Sequence, residues 1–120
     1  MATILVIEDE DPISRLLRAA LESAGHEVRQ APNGRVGLSM YREKPTDLVI
    51  TDVFMPEMNG LDLILELTRE FLNTKVIAIS GYHGEKDFLH VAKLLGARQV
   101  LQKPFSMDSL LSAVRYELTH

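Results

Sequence analysis

A chain of 120 residues and 13.5 kDa has the length of one domain, so residues 1–120 are expected to fold as a single unit. With 46% apolar and 25% charged residues it is neither disordered nor collagen-like, and without cysteine it has no disulfide, thiolate zinc site or thiol nucleophile, which fits a reducing, cytoplasmic setting. A net charge of −4 and an isoelectric point near 5.5 argue against nucleic acid as the direct partner.

The first apolar run, Thr3–Ile7, reads as a strand. It is too short to cross a bilayer, and Met1-Ala2-Thr3 has no basic n-region, so neither membrane insertion nor a signal peptide is expected. Ile13, Leu16, Leu17, Ala20, Leu21 and Ala24 then recur at helical spacing, with Asp11 placed to cap, Pro12 suited to the first turn and Gly25 to end the helix. Glu27–Gln30 is a weaker strand, followed by a helical segment at 34–43. Asp47–Thr51 and Lys75–Ile79 are β-branched runs, each followed by a helical segment, at 61–71 and 85–95. Arg98–Gln102 is a last, weaker strand. The final helix reads Met107, Leu110, Leu111, Val114 and Leu118, with Ser106 as its cap.

Five β-α units in succession imply a parallel sheet with right-handed crossovers and helices on both faces. The three wholly apolar runs suit strands buried on both sides, and the mixed runs Val28-Arg29-Gln30 and Val100-Leu101-Gln102 suit the edges. The predicted fold is α/β, doubly wound and five-stranded, in the flavodoxin-like order 2-1-3-4-5. Ligands in such folds sit beyond the carboxyl ends of the strands. There the sequence puts Glu8-Asp9-Glu10-Asp11, then Asp52, then Ser80-Gly81, then Lys103-Pro104. Carboxylates brought together repel unless a cation or a proton intervenes. Hard oxygen ligands select Mg²⁺, and an ammonium and a hydroxyl alongside suit phosphoryl oxygens. The chemistry indicated is phosphoryl transfer to an aspartate.

These segments resemble the receiver domains of bacterial two-component response regulators, in the single-domain form typified by the chemotaxis regulator. The resemblance is carried by Ile4–Glu10, by Asp47-Leu48-Val49-Ile50-Thr51-Asp52-Val53-Phe54-Met55-Pro56-Glu57-Met58-Asn59-Gly60, by Ile77–Gly81, and by Gly96-Ala97 with Gln102-Lys103-Pro104-Phe105. It implies that Asp52 is the phosphoacceptor. Glu8 and Asp9 would hold Mg²⁺, Asp9 more directly, with the backbone carbonyl of Phe54 as a further ligand. Ser80 would be the switch hydroxyl, and Lys103 its companion at the phosphoryl group, followed by a cis bond to Pro104. The implied partners are a histidine kinase or a histidine phosphotransfer protein, docking near Pro12, Ser14, Arg15, Arg18 and Pro104–Ser106, and an output protein reading residues 85–118. The resemblance implies a switch rather than an enzyme acting on other molecules, with no direct nucleic-acid or membrane binding.

The sequence departs from the family at Val100. Many members have an aromatic residue there whose rotamer follows the switch hydroxyl, and valine has no ring to swing. Tyr82 is a candidate substitute. Phe54 and Tyr82 also flank the approach of water to an acyl phosphate, so slow hydrolysis is expected. Leu89 and Leu94 fall at the margin of the core stripe and are candidates to face a partner. His26, His83, His90 and His120 are too dispersed for a zinc site.

Two other readings compete with the switch. One is a degenerate receiver that binds partners without being phosphorylated, which the intact Glu8, Asp9, Asp52, Ser80 and Lys103 set disfavours. The other is an aspartyl-phosphate phosphohydrolase, which would need an acid two residues after the nucleophile, where Phe54 stands. No Walker or dinucleotide glycine motif is present. Leu118-Thr119-His120 starts no linker or DNA-binding module; a stand-alone regulator and a piece of a longer protein both remain open.

Overall fold

The computed structural model describes residues 2–55, 57–80 and 86–120, and the side chains of all of these except 86–89. Its strands are β1 (Thr3–Ile7), β2 (Glu27–Ala31), β3 (Leu48–Asp52), β4 (Val76–Ser80) and β5 (Gln99–Gln102). They alternate with helices α1 (Asp11–Ser23), α2 (Gly34–Glu43), α3 (Gly60–Glu70), α4 (Lys86–Leu95) and α5 (Met107–Thr119). All strand pairs are parallel, in the predicted order β2-β1-β3-β4-β5.

Alternation along the strands divides the core between the two faces of the sheet. Leu5, Ile7, Val49 and Ala78 point toward α2, α3 and α4, where they meet Leu38, Leu63, Ile64, Leu67 and Ala92. Ile4, Val6, Leu48, Ile50, Ile77 and Ile79 point toward α1 and α5, against Leu17, Leu21, Leu110 and Val114. The mixed strands β2 and β5 form the two edges, as their composition predicts. No helix among the described residues is long and apolar enough to cross a membrane.

Three local expectations need correction. Asp11 does not cap α1. Glu10 is the extended residue before the helix, its carbonyl accepts from Ser14 N–H at 2.9 Å, and its own N–H is held by the Glu8 carboxylate at 3.2 Å. The helix therefore starts one residue early, and Asp11 pairs with Arg15 at 3.3 Å in the first turn. Second, Leu16 is 55% exposed. The buried line of α1 runs through Ser14, Leu17 and Leu21, because the Ser14 hydroxyl is drawn in by Gln30 Nε2 at 2.7 Å. Ser14, only 4% exposed, therefore offers little surface for the expected docking contact. Third, β3 and β4 each begin and end one residue later than their apolar runs. The Asp47 carboxylate instead accepts Thr3 N–H at 2.8 Å, and Asp52 and Ser80 become the last residues of their strands.

The predicted caps Gly25 and Ser106 hold. Gly25 follows α1 with φ +94°, and Ser106 accepts Ser109 N–H at 3.0 Å. On α5 the structure also buries Glu117, which the apolar pattern does not indicate; Gln99 Nε2 reaches its carboxylate at 2.8 Å.

Candidate functional site

Strand register brings the polar residues together. Ile7 lies beside Thr51, Asp52 beside Ile79, and Ser80 beside Gln102, so Glu8, Asp52, Ser80 and Lys103 line one end of the sheet. Each is tied down by backbone bonds: Glu8 N–H to the Ala31 carbonyl at 3.1 Å, Val53 N–H to Ile79 at 2.9 Å, and Lys103 N–H to Ser80 at 2.6 Å. The Lys103–Pro104 bond is cis.

Carboxylate oxygens of Glu8, Asp9 and Asp52, one from each, lie within 4.8 Å of one another. Glu8 and Asp52 are only 2% and 7% exposed, whereas Asp9 faces solvent. Lys103 Nζ lies 3.1 Å from Asp52 Oδ2 and 3.3 Å from Glu8 Oε1. One ammonium thus serves two buried carboxylates. Burial, and then the negative charge of Asp52, push Glu8 from its ordinary 4.5 up to about 7; the N–H of Glu10 and the charge of Lys103 pull the other way without winning. For Lys103, burial acts downward, but the charge and hydrogen bond of Asp52, joined by those of Glu8, outweigh it and hold the ammonium above its ordinary 10.5. The cluster is short of positive charge, which favours a proton on Glu8 up to about pH 7.

Two further features surround Asp52. Its Oδ1 accepts Phe54 N–H at 2.9 Å, which orients the carboxylate, and Phe54 itself is 43% exposed. Gly60 begins α3 directly beneath: a Cβ there would overlap the Asp52 carbonyl oxygen and stand 2.6 Å from Val53 Cα. Gly60 N–H donates to the Val53 carbonyl at 2.7 Å. Sequence reasoning quoted Gly60 within its motif but assigned it no role. The available signal was a glycine in first position after the capping residue Asn59, where helix chemistry does not require one.

Ser80 is 1% exposed, and its hydroxyl is the one buried side-chain polar atom among the described residues without a hydrogen-bond partner. Val100 lies opposite Ala78 and packs, half-buried, against the α2–α4 face of the core. The structure thus brings Glu8, Asp9, Asp52 and Lys103 into one cluster, with Phe54 bonded to Asp52 and Ser80 at the adjoining strand end. Tyr82, His83 and Pro56 lie outside the described residues, as does the side chain of Leu89.

A family model of the response regulator receiver domain matches residues 4–115. The chain belongs to that family. It is 33% identical to the chemotaxis protein CheY of Thermotoga maritima over 112 residues, covering 92% of each chain. It is 38% identical to a probable transcriptional regulatory protein of Picosynechococcus over 121 residues, 95% of this chain and 48% of that one. The chain therefore spans about half the length of one relative and nearly all of another. Among solved structures, a receiver domain protein of Clostridium thermocellum superposes with a TM-score of 0.93 at 34% identity, covering 99% of this chain and 95% of that one. Membership places this receiver domain in two-component signalling, and its acidic cluster is of the kind that holds a divalent cation.

Proposed function

We propose that this receiver is a phosphorylation switch that takes a phosphoryl group from a phosphohistidine onto Asp52. The observation that carries the reading is the cluster itself: three carboxylates within 4.8 Å, two of them buried and sharing the single ammonium of Lys103. An all-oxygen donor set short of positive charge fits Mg²⁺, which would be held by Asp9, Asp52 and the Phe54 carbonyl, with Glu8 behind them. Bound there, the ion would neutralise charge on the phosphoryl oxygens as it passes to the acceptor.

The remaining work falls to the chain's own groups. An Asp52 carboxylate oxygen forms the new bond to phosphorus while the phosphorus–nitrogen bond breaks and the imidazole leaves. Phe54 N–H holds the carboxylate in place, so attack needs little reorganisation. Lys103, freed from its pairing with the neutralised Asp52, turns to a phosphoryl oxygen. The buried Ser80 hydroxyl, which lacks a partner, gains one in the modified state, and this biases the switch between two conformations.

Donor docking is assigned to the exposed start of α1, at Pro12, Arg15 and Arg18, and to the exposed Pro104 and Ser106. Leu16 adds an apolar contact on the same helix. Output is assigned to residues 85–118, where Leu94 is 73% exposed and Val91 and Tyr116 also face solvent. With Val100 in place of an aromatic, the Ser80 movement would be relayed by the backbone and α4 rather than by a ring.

The test is intact mass after incubation with Mg²⁺ and acetyl phosphate or phosphoramidate. The expected result is one phosphoryl adduct that is absent without Mg²⁺ and in Asp52→Asn. Wild-type protein that binds Mg²⁺ yet takes no phosphoryl group from small donors or from a histidine-kinase panel would point to the degenerate receiver instead. Phe54→Ala is expected to shorten the lifetime of the adduct, because the exposed ring limits the approach of water.

A further inference from the structure

The segment between Asp52 and α3 carries the Phe54 carbonyl, and two close backbone approaches meet described residues of it or beside it. One is Gly60 beneath the Asp52 carbonyl, described above. The other comes from a different helix. A Cβ on Gly34, the first residue of α2, would stand 2.5 Å from the Met58 carbonyl oxygen, 3.1 Å from Met58 Cβ and 3.2 Å from its Cγ. The nearest atom is backbone, so it has no rotamer by which to move aside.

Gly34 does not lie in the left-handed region, so its backbone conformation is open to any residue. Glycine also weakens a helix relative to alanine. Asn33 already caps α2 by accepting Val36 N–H at 2.9 Å, so capping does not explain a glycine at 34 either. What remains is the contact with Met58. The same turn reaches the loop a second time, with Arg35 Nε 3.7 Å from Glu57 Oε2. Glu57 sits at φ 73°, an uncommon value for a residue with a side chain, so its backbone is held rather than relaxed. Met58 is partly buried and packs on the α2–α4 face of the core.

We propose that Gly34 is a positioning residue for the acceptor loop. By carrying no side chain it lets Met58 seat against the first turn of α2, and this seat, together with Gly60, sets where the Phe54 carbonyl stands relative to Asp52 and Asp9. The inference rests on the assignment of Mg²⁺ to those groups. It makes α2, which contributes no ligand, part of what determines metal affinity.

The experiment compares the 120-residue wild-type chain with Gly34→Ala, Met58→Ala and Gly25→Ala. Each is titrated with Mg²⁺ alone, by calorimetry or amide chemical shifts, and melted without Mg²⁺. Gly34→Ala pushes the loop and is expected to weaken Mg²⁺ binding on the order of tenfold, as displaced supports of ligands do. Met58→Ala leaves the backbone approach intact but removes the side chain that anchors Met58 on the core, so it is expected to weaken binding several-fold without a clash; it carries the test if Gly34→Ala does not fold. Gly25→Ala strains a φ of +94° with no atom within 4 Å, so it should lower Tm and leave affinity unchanged. Wild-type affinity in a folded Gly34→Ala or in Met58→Ala overturns the proposal. So does an equal loss in Gly25→Ala, which would mean that affinity merely follows stability. Wild type that binds no Mg²⁺ would instead sink the functional reading, and the inference with it.

Discussion

The two ends of one sheet treat polar groups in opposite ways. Among the described residues, buried and half-buried polar side chains at the amino end have ordinary partners: Tyr41 shares a hydrogen bond with Thr74 at 3.1 Å, Thr46 donates to the Leu48 carbonyl at 2.9 Å, and Lys75 reaches the Glu117 carbonyl. A hollow of about 980 Å³ between Ala2, Phe71, Thr74 and Leu118 also lies at that end. At the carboxyl end two buried carboxylates share one lysine, a third stands beside them, and Ser80 is left without a partner. Unsatisfied or like-charged buried groups are destabilising. The amino end therefore stabilises the fold, while the carboxyl end carries a deficit that a cation and a phosphoryl group would relieve. Here the site is marked by unmet chemistry, not by the size of a cavity.

The strongest way to break this comparison is Asp52→Asn. It should abolish the phosphoryl adduct, and because it removes a negative charge facing Glu8, it should leave apo stability equal or raised in a urea melt. A loss of stability would mean that the carboxyl end is not under charge stress. Lys103→Met should slow phosphorylation by acetyl phosphate on the order of a hundredfold to a thousandfold, the usual cost of losing one electrostatic clamp. It should also destabilise the apo fold, since two buried carboxylates lose their counterion.

Glu8 sharpens the contrast through pH. Its folded value is raised above the unfolded one, so the folded state holds the proton more tightly. That contribution is fully present below about 4.5 and is lost as pH rises through about 7. Melts without Mg²⁺ should show stability falling across this window, and Glu8→Gln should flatten the trend. Mg²⁺ affinity should rise over the same interval, because binding displaces the proton. A pH-independent affinity between 5 and 8 would contradict the picture. The smallest effect belongs to the amino end: Tyr41→Phe removes one neutral hydrogen bond and should cost about 1 kcal/mol, with phosphorylation unchanged.

Much of this was legible in the residues. The alternation of β-branched runs with 3.6-period segments yields the element order, and the polar or mixed runs identify β2 and β5 as edges. Glu8, Asp9, Asp52, Ser80 and Lys103 could be chosen because each follows or ends a strand, and parallel topology aligns those ends. The errors share a cause. Leu16 fits the apolar spacing of α1, yet Ser14 takes the buried place because Gln30, on a neighbouring strand, offers it a partner. Asp11 has the chemistry of a cap, but Glu8 holds the N–H of Glu10 and starts the helix one residue sooner. Spacing along a chain does not contain a contact supplied by another element.

The same division holds at the site. The sequence alone determined the fold class, the strand order and the set of charged groups, because these follow from local periodicity, from the mixed composition of the edge strands in a doubly wound sheet, and from the rule that parallel strands end together. Only the tertiary structure decided that Glu8 and Asp52 share one ammonium, that Glu8 keeps its proton toward neutrality, and that Gly34 and Gly60 press against the loop behind the acceptor. Those properties depend on distance and burial, which arise when segments far apart in the chain are packed against one another.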